Sequence, residues 1–197
     1  MNEQLIISIG REFGSGGHEI ARCLAERFAL PLYDHNLLDE IALERELDVE
    51  TLRRYDEMPR NVVLSRTVCG FSSSAEVNIA NMQFDYLKRK AAAGESFVVV
   101  GRCAETMLKD YPGMISIFVL GDATVKTARV MEKYRLSERE ARYKMERHDR
   151  SRKMYHNYYC KGKWGDSRNY DLCINSSRMG LDRTVDFLEG YILERQK

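Results

Sequence analysis

The chain alternates short, almost unbroken apolar runs with longer stretches whose apolar positions recur at helical spacing. Leu5-Ile6-Ile7-Ser8-Ile9 is the first run and Phe97-Val98-Val99-Val100 the second clear one. Met114-Ile115-Ser116-Ile117-Phe118-Val119-Leu120 and Tyr170-Asp171-Leu172-Cys173-Ile174-Asn175 follow. Runs this short and this apolar read as strands buried on both faces, as in a parallel sheet. Leu30-Pro31-Leu32-Tyr33-Asp34 reads as a further short strand or extended link that ends in a carboxylate. Between these lie helical patterns. Ile20, Ala21, Leu24, Ala25 and Phe28 mark a helix that ends near Phe28, with Pro31 as a stop signal. Leu37, Leu38, Ile41 and Ala42 mark a second, capped by Asp34 or Asn36, and Asp48 opens a short third. Further helices are expected over residues 75–93, from Ala123, and over residues 181–193. Residues 59–74 lose periodicity and read as a mobile loop. Strands alternating with helices throughout predict an α/β fold, a parallel sheet between two helical layers.

The first strand runs into Gly10-Arg11-Glu12-Phe13-Gly14-Ser15-Gly16-Gly17-His18, directly before the first helix. Three glycines in four residues let the backbone take positive φ and turn its N–H groups inward. With the helix dipole behind them, those groups make an anion site, most naturally for phosphate. The pattern departs from the full phosphate loop G-x-x-x-x-G-K-[ST]: Gly17 or His18 stands where lysine belongs, and Glu19-Ile20 follow. It also does not match G-x-G-x-x-G, which argues against a dinucleotide.

Composition narrows the frame. A chain of 197 residues can bury one sizeable core, and a formal net charge of +1 argues against a dominant nucleic-acid or membrane surface. Cys23, Cys69, Cys103, Cys160 and Cys173 show no C-x-x-C spacing, so spacing indicates neither a zinc site nor a disulfide framework. Cys23, Cys103 and Cys173 read as small buried apolar residues. No run approaches membrane-spanning length, and a reduced, cytoplasmic setting is expected.

Two further features carry chemistry. Arg102 follows the second clear strand and points to the crevice at the carboxyl ends of the strands, where ligands gather in open α/β sheets. It would grip a phosphate or carboxylate there, or pair with a nearby helix carboxylate. Residues 126–168 are rich in Lys and Arg, peaking in Glu146-Arg147-His148-Asp149-Arg150-Ser151-Arg152-Lys153, with Tyr155, Tyr158, Tyr159, Trp164, Gly162 and Gly165 after them. On a helix, Arg147 and Arg150 share a face, and Asp149 pairs with Lys153 at i, i+4. A basic helix followed by a Gly/Tyr loop suits a lid over a polyphosphate. A solvated charged face, or single-stranded RNA binding through interleaved aromatics, are the competing readings.

Taken together, Ile7-Ser8-Ile9-Gly10 through Gly17, Val99-Val100-Gly101-Arg102, Arg147 through Arg152, and Tyr170 through Asn175 resemble the cytidylate-kinase-like family of P-loop nucleoside monophosphate kinases. The resemblance runs through nearly the whole chain in order. It implies a single domain with core segments 1–34, 94–135 and 169–197, a monophosphate-binding insertion near 35–75 and a lid near 136–168. It also implies ATP and Mg²⁺, small-molecule nucleotide substrates with CMP or dCMP first among them, and a chain with neither nucleic-acid nor membrane partners. A homodimer is compatible with it. By the same resemblance Gly14, Ser15, Gly16, Gly17 and His18 cradle the ATP phosphates, and Asp34 and Arg102 serve the acceptor. Arg147, Arg150 and Arg152 are lid arginines, and the Asn175-Ser176-Ser177 turn lies near the adenine. Cytidylate kinases typically read Gly-Arg-Asp where this chain has Gly101-Arg102-Cys103. Arg11, flanking the loop, or a lid arginine would replace the absent lysine, since phosphoryl transfer rests on positioning and charge. A regulator that binds nucleotide without transferring phosphate is the alternative that the missing lysine favours.

Overall fold

A computed structural model describes residues 4–54, 56, 67–68, 71–72 and 75–197. Its strands are β1 (Ile6–Arg11), β2 (Leu32–Tyr33), β3 (Thr67–Val68), β4 (Phe71–Ser72), β5 (Phe97–Val100), β6 (Met114–Leu120) and β7 (Leu172–Asn175). Its α-helices are α1 (Gly17–Arg27), α2 (Leu37–Arg45), α3 (Val49–Arg54), α4 (Ala75–Ala92), α5 (Ala104–Met107), α6 (Ala123–Tyr134), α7 (Glu138–Tyr159) and α8 (Leu181–Arg195).

Five strands form one parallel sheet in the order β2-β5-β1-β6-β7. β1 lies at its centre, with Ile7 beside Val98 on one side and Ile115 on the other. Every residue of β1 and β5 is buried, as their unbroken apolar character requires. Alternation then sorts the side chains between two cores. Ile7, Ile9, Val98, Val100, Ile117 and Val119 pack against Ile20 and Leu24 of α1 and Leu188 and Ile192 of α8. Ile6, Phe97 and Val99 pack on the other face with Leu37, Leu38 and Ile41 of α2 and Leu87 of α4. The three-layer α/β arrangement is therefore the one the apolar pattern implies.

Several local expectations change. The first helix stops at Arg27, the second strand shortens to two residues, and the last strand starts at Leu172 rather than Tyr170. Asn36 precedes α2 in helical conformation with no side-chain cap, while its Oδ1 accepts from the Asp34 amide at 3.0 Å. Asp48 does cap α3, accepting from the Thr51 amide at 2.9 Å. The expected loop over 59–74 lies outside the described residues except at β3 and β4, which pair antiparallel. The basic stretch is largely one 22-residue helix, α7, opened by a capping box between Ser137 and Glu140.

Candidate functional site

The glycine turn occupies the carboxyl end of β1, where the sheet delivers its chain to α1. Gly14 and Gly16 both sit at φ +81, the left-handed region that favours glycine. A Cβ on Gly16 would stand 2.4 Å from Leu181 Cδ2, and one on Gly17 would stand 2.5 Å from Arg11 Cβ. The loop is thus packed to backbone thickness, leaving the first amides of α1 as its polar content. Neighbouring elements clamp it. The Ser15 hydroxyl is buried and donates to the Glu12 carbonyl at 2.8 Å. Ser176, in the turn after β7, donates to the Ser15 carbonyl at 2.6 Å, and Arg129 of α6 donates to the Gly14 carbonyl at 2.7 Å. In the same turn Asn175 and Ser177 bind Asp122 at 2.8 and 2.9 Å.

A cleft of about 590 Å³ opens over this loop. Arg11, Gly14, Gly16, Gly17, His18 and Arg152 line it, together with Arg129 and Lys133, which the sequence reading passed over. Lys126, Arg129 and Lys133 stand at i, i+3 and i+7 on α6, so the stripe was readable as spacing. Lys126 is buried and binds the Glu12 carboxylate at 2.8 Å, which also accepts from the Gly121 amide at 3.2 Å. Asp149 does not pair with Lys153. Its carboxylate turns inward to accept from the Phe13 amide at 2.7 Å and lies 3.9 Å from Arg152. Burial raises the Asp149 carboxyl above its usual range despite that amide. Arg152 also donates to the Arg11 carbonyl at 3.4 Å. Arg147 and Arg150 are exposed on α7 and do not line the cleft.

A second group gathers Asp34, His18 and Arg102. His18 Nε2 lies 2.5 Å from Asp34 Oδ2, and Arg102 donates to the Asp34 carbonyl at 3.1 Å. Burial is the largest influence and works against the Asp34 carboxylate, but hydrogen bonds from His18 and the Asn36 amide, with the nearby His18 and His35 rings, together lower the carboxyl below its ordinary range. Arg102 is buried in left-handed backbone at φ 60. Its guanidinium makes a fork-to-fork pair with Asp56, Nη1 on Oδ1 and Nη2 on Oδ2 at 2.9 Å. Arg102 thus pairs with a carboxylate, though one in a turn beyond α3 rather than on a helix. Asp56 also accepts from Gln83 at 3.1 Å. Burial opposes its charge, but Arg102 and these hydrogen bonds hold the carboxyl far below the usual carboxylate range. No sequence spacing links Asp56 to Arg102, so only the fold reveals the pair.

Comparison with known proteins now decides the family. The profile of the cytidylate kinase-like family matches residues 6–178. The chain belongs to the cytidylate kinase-like family. A cytidylate kinase of Methanopyrus kandleri is 28% identical over 206 aligned positions, covering 98% of this chain and 96% of that protein. A crystal structure of an uncharacterized protein from Eubacterium ventriosum superposes with a TM-score of 0.76 at 43% identity, over 96% of this chain and 98% of that one. The shikimate kinase of Bacteroides thetaiotaomicron matches at a TM-score of 0.56 and 12% identity, over 95% of this chain and 98% of its own, a likeness of fold alone. Within the family's fold, the glycine loop lies where the sheet's carboxyl edge meets α1. No helix among the described residues is long and apolar enough to cross a membrane.

Proposed function

We propose that the chain transfers the γ-phosphoryl group of ATP to a small phosphate-bearing acceptor, with CMP and dCMP the leading candidates. The observation that carries this reading is the glycine-loop cleft, walled by Arg11, Arg129, Arg152 and Lys133. Backbone amides and the dipole of α1 would hold the donor phosphates through Gly14 to His18. Arg11 and Arg152 would then supply the cationic charge that the absent loop lysine would bring, stabilising charge spread over the transferred phosphoryl oxygens. Arg147 and Arg150 would join only if α7 swings over the cleft. The cleft wall also carries the Glu12 and Glu19 carboxylates, hard oxygen donors of the class that would hold Mg²⁺. That ion would shield the phosphate oxygens when bound.

The acceptor half rests on Asp34 and Arg102. An acceptor phosphate would have to displace Asp56 from the Arg102 fork, so Asp56 occupies the position an anionic substrate would take. Transfer then requires an exchange of carboxylate for phosphate on one guanidinium. This occupied fork is also the observation that favours the second reading, a nucleotide-binding regulator without transfer. The RNA reading has less support, because Tyr155 and Tyr159 pack against one another and Trp164 packs on Phe118, leaving Tyr158 the exposed ring among the aromatics that suggested it.

The test is ATP–Mg²⁺-dependent ADP formation over CMP, dCMP, UMP, AMP and GMP, with ATP binding measured alongside. Turnover with one of them supports the kinase. Binding of ATP without turnover on any of them supports the regulator, and absence of ATP binding overturns both.

A further inference from the structure

We infer that Glu105, His156 and Cys160, completed by Cys103, form a binding site for one Zn²⁺ ion at the root of α7. The donor atoms of the first three lie within 4.8 Å of one another, and all three residues are buried. His156 Nε2 is 2.7 Å from Glu105 Oε1, and Cys160 Sγ is 4.0 Å from the same oxygen. Cys103 is buried as well and shares a packed cluster with Cys160, a second sulfur beside the three donors. A small open pocket of about 20 Å³, also lined by Arg11, Arg102 and Arg152, reaches Cys103, Glu105 and His156 and gives the cluster a path to solvent.

The donor chemistry selects the metal. Thiolate sulfur with imidazole nitrogen and one carboxylate suits a borderline-soft ion, whereas Mg²⁺ and Ca²⁺ take oxygen shells. In tetrahedral Zn²⁺ geometry the nitrogen and oxygen would stand about 3.4 Å apart and the sulfur and oxygen about 3.6 Å. The histidine–glutamate pair therefore opens by about 0.7 Å and the cysteine closes by about 0.4 Å, movements within side-chain reach. The outer shell is in place. His156 Nδ1 lies 3.4 Å from Asn157 Oδ1, which orients the ring with Nε2 toward the cluster.

Backbone strain points at the same spot. Gly101, Arg102 and Cys103 are consecutive left-handed residues at φ 76, 60 and 53. Left-handed backbone at two successive non-glycine residues is strained, and here it carries Arg102 to the Asp34 carbonyl and Cys103 into the cluster with Cys160. A metal bridging the two cysteines would fasten the end of α7 to the turn that presents Arg102. Glu105 and Cys160 are 55 positions apart in the chain, which is why cysteine spacing does not reveal the cluster.

The test uses the full, untagged chain. After incubation with ZnSO₄ and gel filtration, elemental analysis is expected to find about one Zn²⁺ per chain. Saturating Zn²⁺ is expected to raise Tm by about 5 °C. Co²⁺ in place of Zn²⁺ should give tetrahedral visible bands and a thiolate charge-transfer band in the near ultraviolet. Cys160→Ser should abolish that band, and Cys103→Ser, the milder change, should weaken it while far-ultraviolet circular dichroism confirms folding. Retention of no Zn²⁺ by the wild-type chain, with a pale octahedral Co²⁺ spectrum, overturns the site. Retention unchanged in Cys160→Ser, Cys103→Ser and His156→Gln places the metal elsewhere and overturns it equally.

Discussion

Two arginines leave the carboxyl ends of neighbouring parallel strands, and their settings differ. Arg11 ends β1 and lines the open cleft over the glycine loop. Arg102 follows β5 at nearly the same height, yet its fork is filled by Asp56 and the Asp34 carbonyl. At the same edge of the sheet, one strand end opens on the glycine-loop cleft, while its neighbour holds a carboxylate on its guanidinium. A rigid cradle for the donor suits a ligand bound first. A fork closed by its own carboxylate suits a ligand that must compete for its place. The contrast separates the two halves of the proposed reaction into one that is built and one that must be opened.

The harshest way to break the comparison is to fill the cradle. Gly16→Val forces a branched side chain onto φ +81 backbone, with its Cβ 2.4 Å from Leu181 Cδ2. ATP affinity measured by calorimetry should fall at least ~100-fold, since the amides can no longer approach the phosphates. Next, the cleft arginines can be set against the exposed ones. Arg152→Ala should lower kcat by about 10²–10³, the range for losing a charge-stabilising group at a transition state. Arg147→Ala and Arg150→Ala should cost less than about tenfold, and equal losses at all three would show that α7 closes as a whole over the cleft.

Asp56→Asn sharpens the other half. It leaves the buried Arg102 charge without its carboxylate, so urea denaturation at neutral pH should show a loss of about 3–5 kcal/mol. CMP or inorganic phosphate should then raise Tm more in the variant than in the wild type, because the fork accepts them without displacing a carboxylate. The pH dependence has a definite sign. A carboxyl depressed in the folded state contributes stability that is present above its ordinary value, about 3.9, and is lost as pH falls toward its folded value. Wild-type stability should therefore decline below about pH 4, and Asp56→Asn should lack that part of the decline. The smallest effect is expected at Ser176→Ala, which removes the buried hydroxyl that ties the β7 turn to the glycine loop. About 1 kcal/mol of stability should be lost, with a modest rise in the KM for ATP.

The two halves also differ in how far the sequence discloses them. The cradle is local: Gly14, Ser15, Gly16 and Gly17 lie between a buried strand and an amphipathic helix, so periodicity and glycine chemistry place it without tertiary knowledge. The same holds for the central strands, whose apolar runs are unbroken because both faces are covered. The fork is not local. Asp56 meets Arg102 across 46 positions, and Asp149 forgoes its helical neighbour Lys153 for a backbone amide beside the glycine loop. Local i, i+4 pairing is worth a few tenths of a kcal/mol, less than satisfying a buried donor, so the long-range contact prevails. The cysteines follow the same logic. Cys103 is buried as expected, in an apolar cluster with Ala80, Phe84, Tyr155 and Cys160, whereas Cys23 and Cys173 are only half-buried. At His156 burial opposes the charge, but hydrogen bonds to Cys160 and Glu105 raise the imidazolium to about 10.

The most direct measurement is a pair of calorimetric titrations on the wild-type chain, ATP–Mg²⁺ alone and CMP alone, repeated on Asp56→Asn. The account predicts that ATP binds the free protein and Asp56→Asn equally well. CMP should bind the wild type weakly and the variant at least ~10-fold more tightly, by relief of the internal competitor. Wild-type protein that takes up CMP as readily as Asp56→Asn, or that fails to bind ATP at all, would contradict it.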